Sequence, residues 1–227
     1  MKRSEINQII EEGIQFFDEQ NYKLPPFAFW TMEDWQQKGP EYDEIKDNQM
    51  GWDITDVGSG DYEKEGLFLF TVRNGNLEDE RYDKDYAEKI MIVKENQVTP
   101  HHFHWNKMED IINRGGGNLM IQLYNATADE ALADTPVTVY SDGRTYQVPA
   151  GTTVRLTPGE SITLKPYQYH SFWGEDGQGQ VLVGEVSKTN DDATDNRFLK
   201  TVGRFPEIEE NEPVKYLLVG DYKKFLK

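Results

Sequence analysis

The chain has four histidines, and their positions are the first sign of chemistry. His101, His102 and His104 lie together in the sequence PHHFHW, while His170 comes much later. Side chains two residues apart on a β-strand point to the same face, so His102 and His104 should converge while His101 points away. Glu109 follows soon after, near enough for a short turn to bring its carboxylate alongside. If His170 lies on a neighbouring strand, it would complete a cluster of imidazoles and one carboxylate.

Such a cluster is a metal-binding pattern. The chain contains no cysteine, so any metal must be held by nitrogen and oxygen, and disulfides and thiolate nucleophiles are excluded. Imidazole together with carboxylate suits Mn, Fe, Co, Ni or Zn, whereas Mg and Ca prefer oxygen ligands. We therefore predict a metal site made by His102, His104, Glu109 and His170, with coordination positions left open for a substrate. The alternative is that these are ordinary core or surface histidines.

Short apolar runs separated by turn residues occupy most of the chain after residue 66. Their even spacing is typical of an antiparallel sandwich or barrel rather than of βαβ units. Asp142 and Gly143 mark the tip of a hairpin within 135–149. The other predicted strands lie at 67–72, 89–94, 118–125, 152–156, 161–166, 169–173 and 180–188. The tail from 212 to 227 should add one more strand.

The beginning of the chain has a different pattern. Segment 1–66 is predicted to be a helical elaboration packed on a β-barrel that spans 67–227, the two forming one structural domain. Apolar residues recur at helical spacing early in this segment, where Ser4 could cap the helix and Pro25 would end it. A second, short helix should begin at Thr31.

The composition excludes several classes of protein. A formal net charge of −17 repels phosphate backbones, so nucleic acid is not an expected partner. No run approaches the roughly 18–20 consecutive apolar residues that span a bilayer. The N-terminus also lacks the apolar stretch of a secretory signal. We therefore expect a cytoplasmic protein without a membrane partner.

Two motifs resemble those of the cupin superfamily. The spacing His102-x-His104-x4-Glu109-x6-Gly116 is similar to the first cupin motif, and Gly159-x10-His170 is similar to the second. The resemblance implies a cupin-type antiparallel β-barrel, or jelly roll, with the four metal ligands named above. Two positions depart from the motifs. In the first motif, Asn96 replaces the leading glycine, and asparagine tolerates a left-handed backbone. In the second motif, the proline is Pro166, one position later than in the family, and the glycine of that motif is absent.

The chain as a whole resembles the D-lyxose isomerase family of cupins. The resemblance rests on the opening helix, PPFAFW at 25–30, PHHFHWNKMEDIINRGGG at 100–117 and FWG at 172–174. It implies a Mn²⁺-dependent aldose–ketose isomerase that interconverts D-lyxose and D-xylulose, and also D-mannose and D-fructose. A small sugar is then the expected partner, and we expect a homodimer.

Isomerisation through an enediol needs a base that moves a proton between C1 and C2. Glu185 is one candidate, because it interrupts the apolar strand QVLVGEVSK on the face of Val181 and Val183, which would be the barrel interior. A solvated strand residue is the alternative. Glu109 is the other candidate, provided that its second oxygen is free.

Lys94, at the end of a predicted strand, could bind a substrate hydroxyl or steady an enediolate. The remaining predicted substrate-binding residues are Trp105, Gln122, Asp195 and Arg197. Trp105 could stack on the apolar face of a sugar, although an aromatic residue in a barrel is more often core. Asp195 and Arg197 offer partners for hydroxyl groups, or belong to an ordinary acidic loop.

Two other functions fit the same ligands. Three histidines and a glutamate can hold Fe(II) for dioxygenase chemistry, which favours an apolar pocket and requires oxygen. A sugar-binding cupin without catalysis is the second alternative, because cupins support many functions. Turnover under nitrogen with added Mn²⁺ would distinguish an isomerase from an oxygenase.

Overall fold

Two antiparallel sheets form the body of the fold in the computed structural model, which describes residues 1–192, 194–200, 202–203 and 207–226. The larger sheet has the strand order β1-β2-β3-β12-β5-β10-β7-β8, and the smaller has β13-β4-β11-β6-β9. The strands are β1 (Gly51–Thr55), β2 (Leu67–Arg73), β3 (Tyr86–Val93), β4 (Thr99–Phe103), β5 (Glu109–Gly116), β6 (Leu119–Asn125), β7 (Val137–Ser141), β8 (Arg144–Val148), β9 (Thr153–Leu156), β10 (Ser161–Leu164), β11 (Gln168–Gly174), β12 (Val181–Lys188) and β13 (Arg197–Phe198). This confirms the predicted mostly-β fold with an N-terminal helix.

The helices are few and mostly short. They are α1 (Arg3–Glu19), α2 (Met32–Trp35), α3 (Asp43–Asp47) and α4 (Tyr222–Phe225), with 3₁₀ turns at Pro26–Phe29, Pro40–Tyr42 and Val219–Asp221. Thr31 caps α2 as predicted, because its hydroxyl accepts a hydrogen bond from the Asp34 amide. Ser4 is not the cap of α1. The helix already begins at Arg3, and Lys2 occupies the N-cap position. Among the described residues, none of the helices is long and apolar enough to cross a membrane.

Helix α1 covers the outer face of the larger sheet. Its buried side chains Ile6, Ile10 and Phe17 join one core cluster with outward-facing strand residues such as Phe70 and Ile92. The opposite face of the same sheet meets the smaller sheet in a second cluster. That second cluster includes Met91, Val93, Ile121, Phe172 and Val183. Because the central parts of β2, β3 and β12 are buried on both faces, apolar residues follow one another at 68–70, 90–93 and 181–183 instead of alternating with polar ones.

The structure differs from two predictions about the ends of the chain. The predicted strand in the tail is wrong: Leu217 and Tyr222 pack with Trp35 and Met50 in a third cluster, and the tail turns into α4. Segment 1–66 is not entirely helical, since β1 lies within it and pairs with β2 along its whole length. The single domain with a boundary near residue 66 stays a prediction.

Two motif positions have the left-handed backbone that a glycine favours. Asn96 has a φ of +58°, the left-handed backbone predicted for the position of the missing glycine. Gly116 has a φ of +77°, and a side chain there would collide with the carbonyl group of Gln180. The tight reversal that takes β5 into β6 therefore requires glycine at this position.

A buried ion pair joins the two ends of the chain. The Arg3 guanidinium is fully buried, donates to both carboxylate oxygens of Asp221 at 2.8 and 2.9 Å, and also reaches Glu210. Lys215 and Glu11 form a second link between the tail and α1, but both side chains are half exposed.

We expect Arg3→Met to lower the free energy of unfolding by about 3–5 kcal/mol, because it leaves the buried Asp221 carboxylate without its cation. Lys215→Met is the matched control and should cost less than about 1 kcal/mol, since it removes an exposed pair. Urea denaturation of both variants measures the difference. Equal, small losses would show that the Arg3 pair does not hold the tail in place.

Candidate metal centre and the charged row beside it

Three histidines converge in the space between the two sheets. His102 lies on β4 directly opposite His170 on β11, and His104 follows β4 by one residue. One ring nitrogen of each lies within 4.8 Å of the others, and all three side chains are buried. His101 faces away, as the alternation of a strand requires, and contacts Tyr124 instead.

The other ring nitrogen of each histidine is held by the backbone. The Nδ1 atoms of His102 and His170 lie 2.9 and 3.1 Å from the carbonyl oxygens of Pro100 and Gln168. The Nδ1 atom of His104 lies 2.9 Å from the carbonyl oxygen of Asp195. Because a carbonyl oxygen can only accept, each Nδ1 carries the proton and each Nε2 is a free donor atom for a metal.

Burial and the neighbouring His170 and His104 rings hold the pKa of His102 well below its ordinary value. The ring is therefore neutral at physiological pH, which is the form that binds a metal.

Glu109, the first residue of β5, lies against this cluster. Its Oε1 atom is 3.2 Å from the Nε2 atoms of both His104 and His170, and its Oε2 atom is 2.6 Å from Nζ of Lys107. Burial alone would raise the pKa of Glu109, but the adjacent Lys107 ammonium holds it well below its usual range. Lys107 occupies Oε2, and Oε1 faces the Nε2 atoms as a candidate metal ligand, so the condition of a free second oxygen for Glu109 as the base is not met.

This donor set fits a divalent transition metal. The nitrogen atoms of the three histidines cluster together, and Oε1 of Glu109 lies beside two of them. Imidazole nitrogen and carboxylate oxygen are ligands that such ions bind at about 2.0–2.2 Å. The hydrogen bonds to Nδ1 fix the ring orientations before any metal binds.

Glu185 lies on the inner face of β12 with Val181 and Val183, where the alternation of the strand predicted it. It is 5% exposed. Its Oε1 atom accepts hydrogen bonds from Lys107 at 3.1 Å, Lys89 at 3.2 Å and the Ser187 hydroxyl at 3.1 Å. In the part of the chain that the structure describes, all of these contacts fall on Oε1 and none on Oε2.

Lys107 and Lys89 complete a row of charges that sequence analysis missed, buried except at the partly exposed Asp192. Lys107 bridges Glu109 and Glu185, and Lys89 bridges Glu185 and Asp192, the last at 2.9 Å. Burial alone would lower the pKa of Lys107, but Glu109, Glu185 and Asp192 raise it, so the side chain is an ammonium ion. A signal for Lys107 existed, because it lies between two ligands in the first motif.

A cavity opens onto the histidines and the charged row. The polar side chains that line the cavity include His102, His104, Glu109, His170, Lys107, Glu185, Lys89 and Asp192. Apolar side chains line it as well, among them Ile54, Leu67, Leu69, Met91, Phe172 and Phe198. A ligand here would meet both charged groups and hydrocarbon surface.

Other predicted residues lie outside this cavity. The Lys94 ammonium pairs with Glu63 at 2.8 Å near the surface, because the side chain leaves the end of β3 away from the barrel interior. Gln122 faces the outer side of β6 and donates to the Gly151 carbonyl. These positions give neither residue a contact with the cavity.

Trp105 and Arg197 both donate to Glu130, at 2.8 and 2.7 Å, so they brace a loop near the site. Asp195 is buried beneath the cluster. Its carboxylate accepts from the amides of Asn106 and Lys107, and its carbonyl holds His104. Its contacts position the ligand loop rather than line the cavity.

Comparisons with known proteins identify relatives that match this chain over nearly its whole length. A family model for D-lyxose isomerase matches residues 1–222. The chain is 52% identical over 227 residues to the D-lyxose/D-mannose isomerase of Serratia proteamaculans, with 100% of both chains covered. It is 50% identical over 226 residues to that of Escherichia coli O157:H7, covering 99% of this chain and 100% of the relative.

Among solved structures, the L-ribose isomerase of Cellulomonas parahominis with L-ribose superimposes with a TM-score of 0.61 at 18% identity, covering 92% of this chain and 98% of the other. At that identity the likeness concerns the fold, a cupin-type barrel. The barrel and the full-length relatives define a sugar isomerase. Specifically, the chain belongs to the D-lyxose isomerase family.

We expect the purified protein to bind about one divalent ion per chain, and His102→Ala or His170→Ala to remove most of it, because each deletes one ligand. His101→Ala is the matched control, since this adjacent histidine faces away from the cluster. Elemental analysis after dialysis measures the metal content. Full occupancy in both ligand variants would refute the assignment.

Proposed function

We propose that this protein interconverts D-lyxose and D-xylulose, and also D-mannose and D-fructose, with a divalent metal held by His102, His104, Glu109 and His170. The names of the relatives support the sugars. The nitrogen-rich ligand set supports Mn²⁺ over Mg²⁺ or Ca²⁺.

The observation that carries the proposal is the set of contacts made by the Glu185 carboxylate. Glu185 is a buried carboxylate with one oxygen held by three donors, while the other oxygen accepts no hydrogen bond from the described residues, and it lines the same cavity as the histidines. A carboxylate in that state is suited to take a proton from carbon and to give it back. Glu109 is less suited, because Lys107 occupies its Oε2 atom and its Oε1 atom would be a metal ligand.

The reaction moves one proton between two carbons. Glu185 takes the proton from C2 of the open-chain aldose. The electron pair of that C–H bond forms the C1–C2 double bond, and the π pair of the C1=O1 carbonyl moves onto O1, which gives the enediolate. The same carboxyl returns the proton to C1, while the O2 proton passes to O1, so no oxidant or reductant is consumed. A bound metal would polarise the carbonyl oxygen and stabilise the negative charge that develops on it.

The charged side chains that line the cavity also favour an isomerase over the alternatives. An Fe(II) dioxygenase favours an apolar pocket, whereas here Lys107, Glu185 and Lys89 face the same space as the histidines. A sugar-binding protein without catalysis has no use for a buried carboxylate with a free oxygen, since burying an idle charge is costly. The net charge of −17 supports the expectation of no nucleic-acid partner. A homodimer and a cytoplasmic location stay predictions.

We expect D-lyxose to be converted reversibly to D-xylulose under nitrogen, without nicotinamide or phosphate. Chelation should abolish the conversion, and Mn²⁺ should restore it better than Mg²⁺, because the ligands are mostly nitrogen. A coupled assay for ketose over a panel of pentoses and hexoses measures both effects. If metal-loaded protein forms no ketose from any aldose, or needs oxygen to turn over, the proposed function is refuted.

Glu185→Gln should lower kcat by a factor of about 10²–10⁴, because the amide keeps the shape of the side chain but cannot accept the proton. Metal content should be unchanged and KM should move little. Steady-state kinetics with elemental analysis tests this. Near-normal kcat would exclude Glu185 as the base, and loss of metal would place it among the ligands.

A further inference from the structure

Lys89 is a buried cation that the mechanism above does not use. It is 3% exposed and lies on the inner face of β3, directly opposite Glu185 in the pairing of β3 with β12. Its Nζ atom is 3.2 Å from Oε1 of Glu185 and 2.9 Å from Asp192. An ammonium ion in such a place costs several kcal/mol unless it is paired, so both contacts are needed to keep it there.

The need to neutralise the Glu185 carboxylate does not by itself explain why Lys89 lies beside it. Lys107 already supplies one ammonium to Glu185, at 3.1 Å from the same Oε1 atom. Ser187, two residues along β12, adds a hydroxyl donor to that atom at 3.1 Å. These donors come from different elements: β3, the loop before β5 and β12 itself. Donors approaching one oxygen from three elements restrict the rotation of the carboxylate plane.

We propose that Lys89 is a positioning residue for the isomerisation: it clamps Oε1 of Glu185, together with Lys107 and Ser187, so that Oε2 stays in place to carry the proton between C1 and C2. This inference rests on the proposed role of Glu185 as the base. The proton leaves C2 for Oε2 and returns from Oε2 to C1, with the electron movements given above, and Lys89 itself neither gains nor loses a proton. Asp192 in turn fixes the Lys89 ammonium.

Replacing Lys89 by Met removes one clamp and keeps an apolar chain of similar length. We expect kcat for D-lyxose to fall about 10-fold or more, because small displacements of a reacting group cost up to about 10²-fold. KM should stay within about 2-fold and metal content should not change, since Lys89 contacts neither the ligands nor, in this proposal, the sugar. Lys84→Met is the matched control: Lys84 just precedes β3, pairs with Glu44 instead, and should leave kcat unchanged.

The decisive measurement is a double-mutant cycle with Glu185→Gln. A residue that acts only through Glu185 has nothing left to position once that carboxylate is gone, so Lys89→Met should cause no further loss of kcat in the Glu185→Gln background. If Lys89 contacts the sugar or the reacting oxygens directly, the two losses multiply or KM rises. Either of those results overturns the inference.

If Lys89→Met does not fold, Lys89→Gln can be tested in its place, because the glutamine side-chain amide can still donate a hydrogen bond to Glu185. It should show a smaller loss of kcat with the same behaviour in the cycle. Parental kcat in every folded Lys89 variant, with kcat lost in Glu185→Gln, overturns this inference alone. Parental kcat in Glu185→Gln overturns the proposed base as well, so the two failures are distinguishable.

Discussion

A row of charges of alternating sign, Glu109–Lys107–Glu185–Lys89–Asp192, is the constraint on which the interior depends. All of its members are buried except Asp192, which is partly exposed. The successive contacts of the row measure 2.6, 3.1, 3.2 and 2.9 Å. Taking one such ion out of water costs several kcal/mol, and only a close partner of opposite charge offsets that cost. Each member therefore needs its neighbours. The row holds one carboxylate against the histidines and another, with an oxygen free of hydrogen bonds within the described chain, in the cavity.

The fold supports this row from several directions. Helix α1 covers the outer face of β3 and β12, so the strands that carry Lys89 and Glu185 are shielded from water on both sides. The segment after β12 contacts both the row of charges and the histidine cluster. Asp192 fixes Lys89, while the Asp195 carbonyl fixes His104 and its carboxylate fixes the backbone of Lys107. A change in this one segment would therefore reach both the metal ligands and the proposed base.

The parts of the site that could be predicted are those that depend on local geometry. The period of two along a strand places His102 and His104 on one face, and the same period places Glu185 with Val181 and Val183. Lys94 shows the limit. Because β3 is buried on both faces, KIMIVK has no polar alternation to show which residues point inward, and Lys89 rather than Lys94 enters the cavity.

The sequence by itself determined the β-rich fold, the opening helix and the candidate ligands, because turn residues, strand periodicity and the HxH spacing act over a few residues. Only the tertiary structure decided which charges meet. Strand pairing sets Lys89 opposite Glu185, and a loop folded back from β12 sets Asp195 beneath His104. These contacts join residues about a hundred positions apart along the chain. Register and loop packing between distant strands follow from burying the whole core at once, and no local pattern in the sequence encodes them.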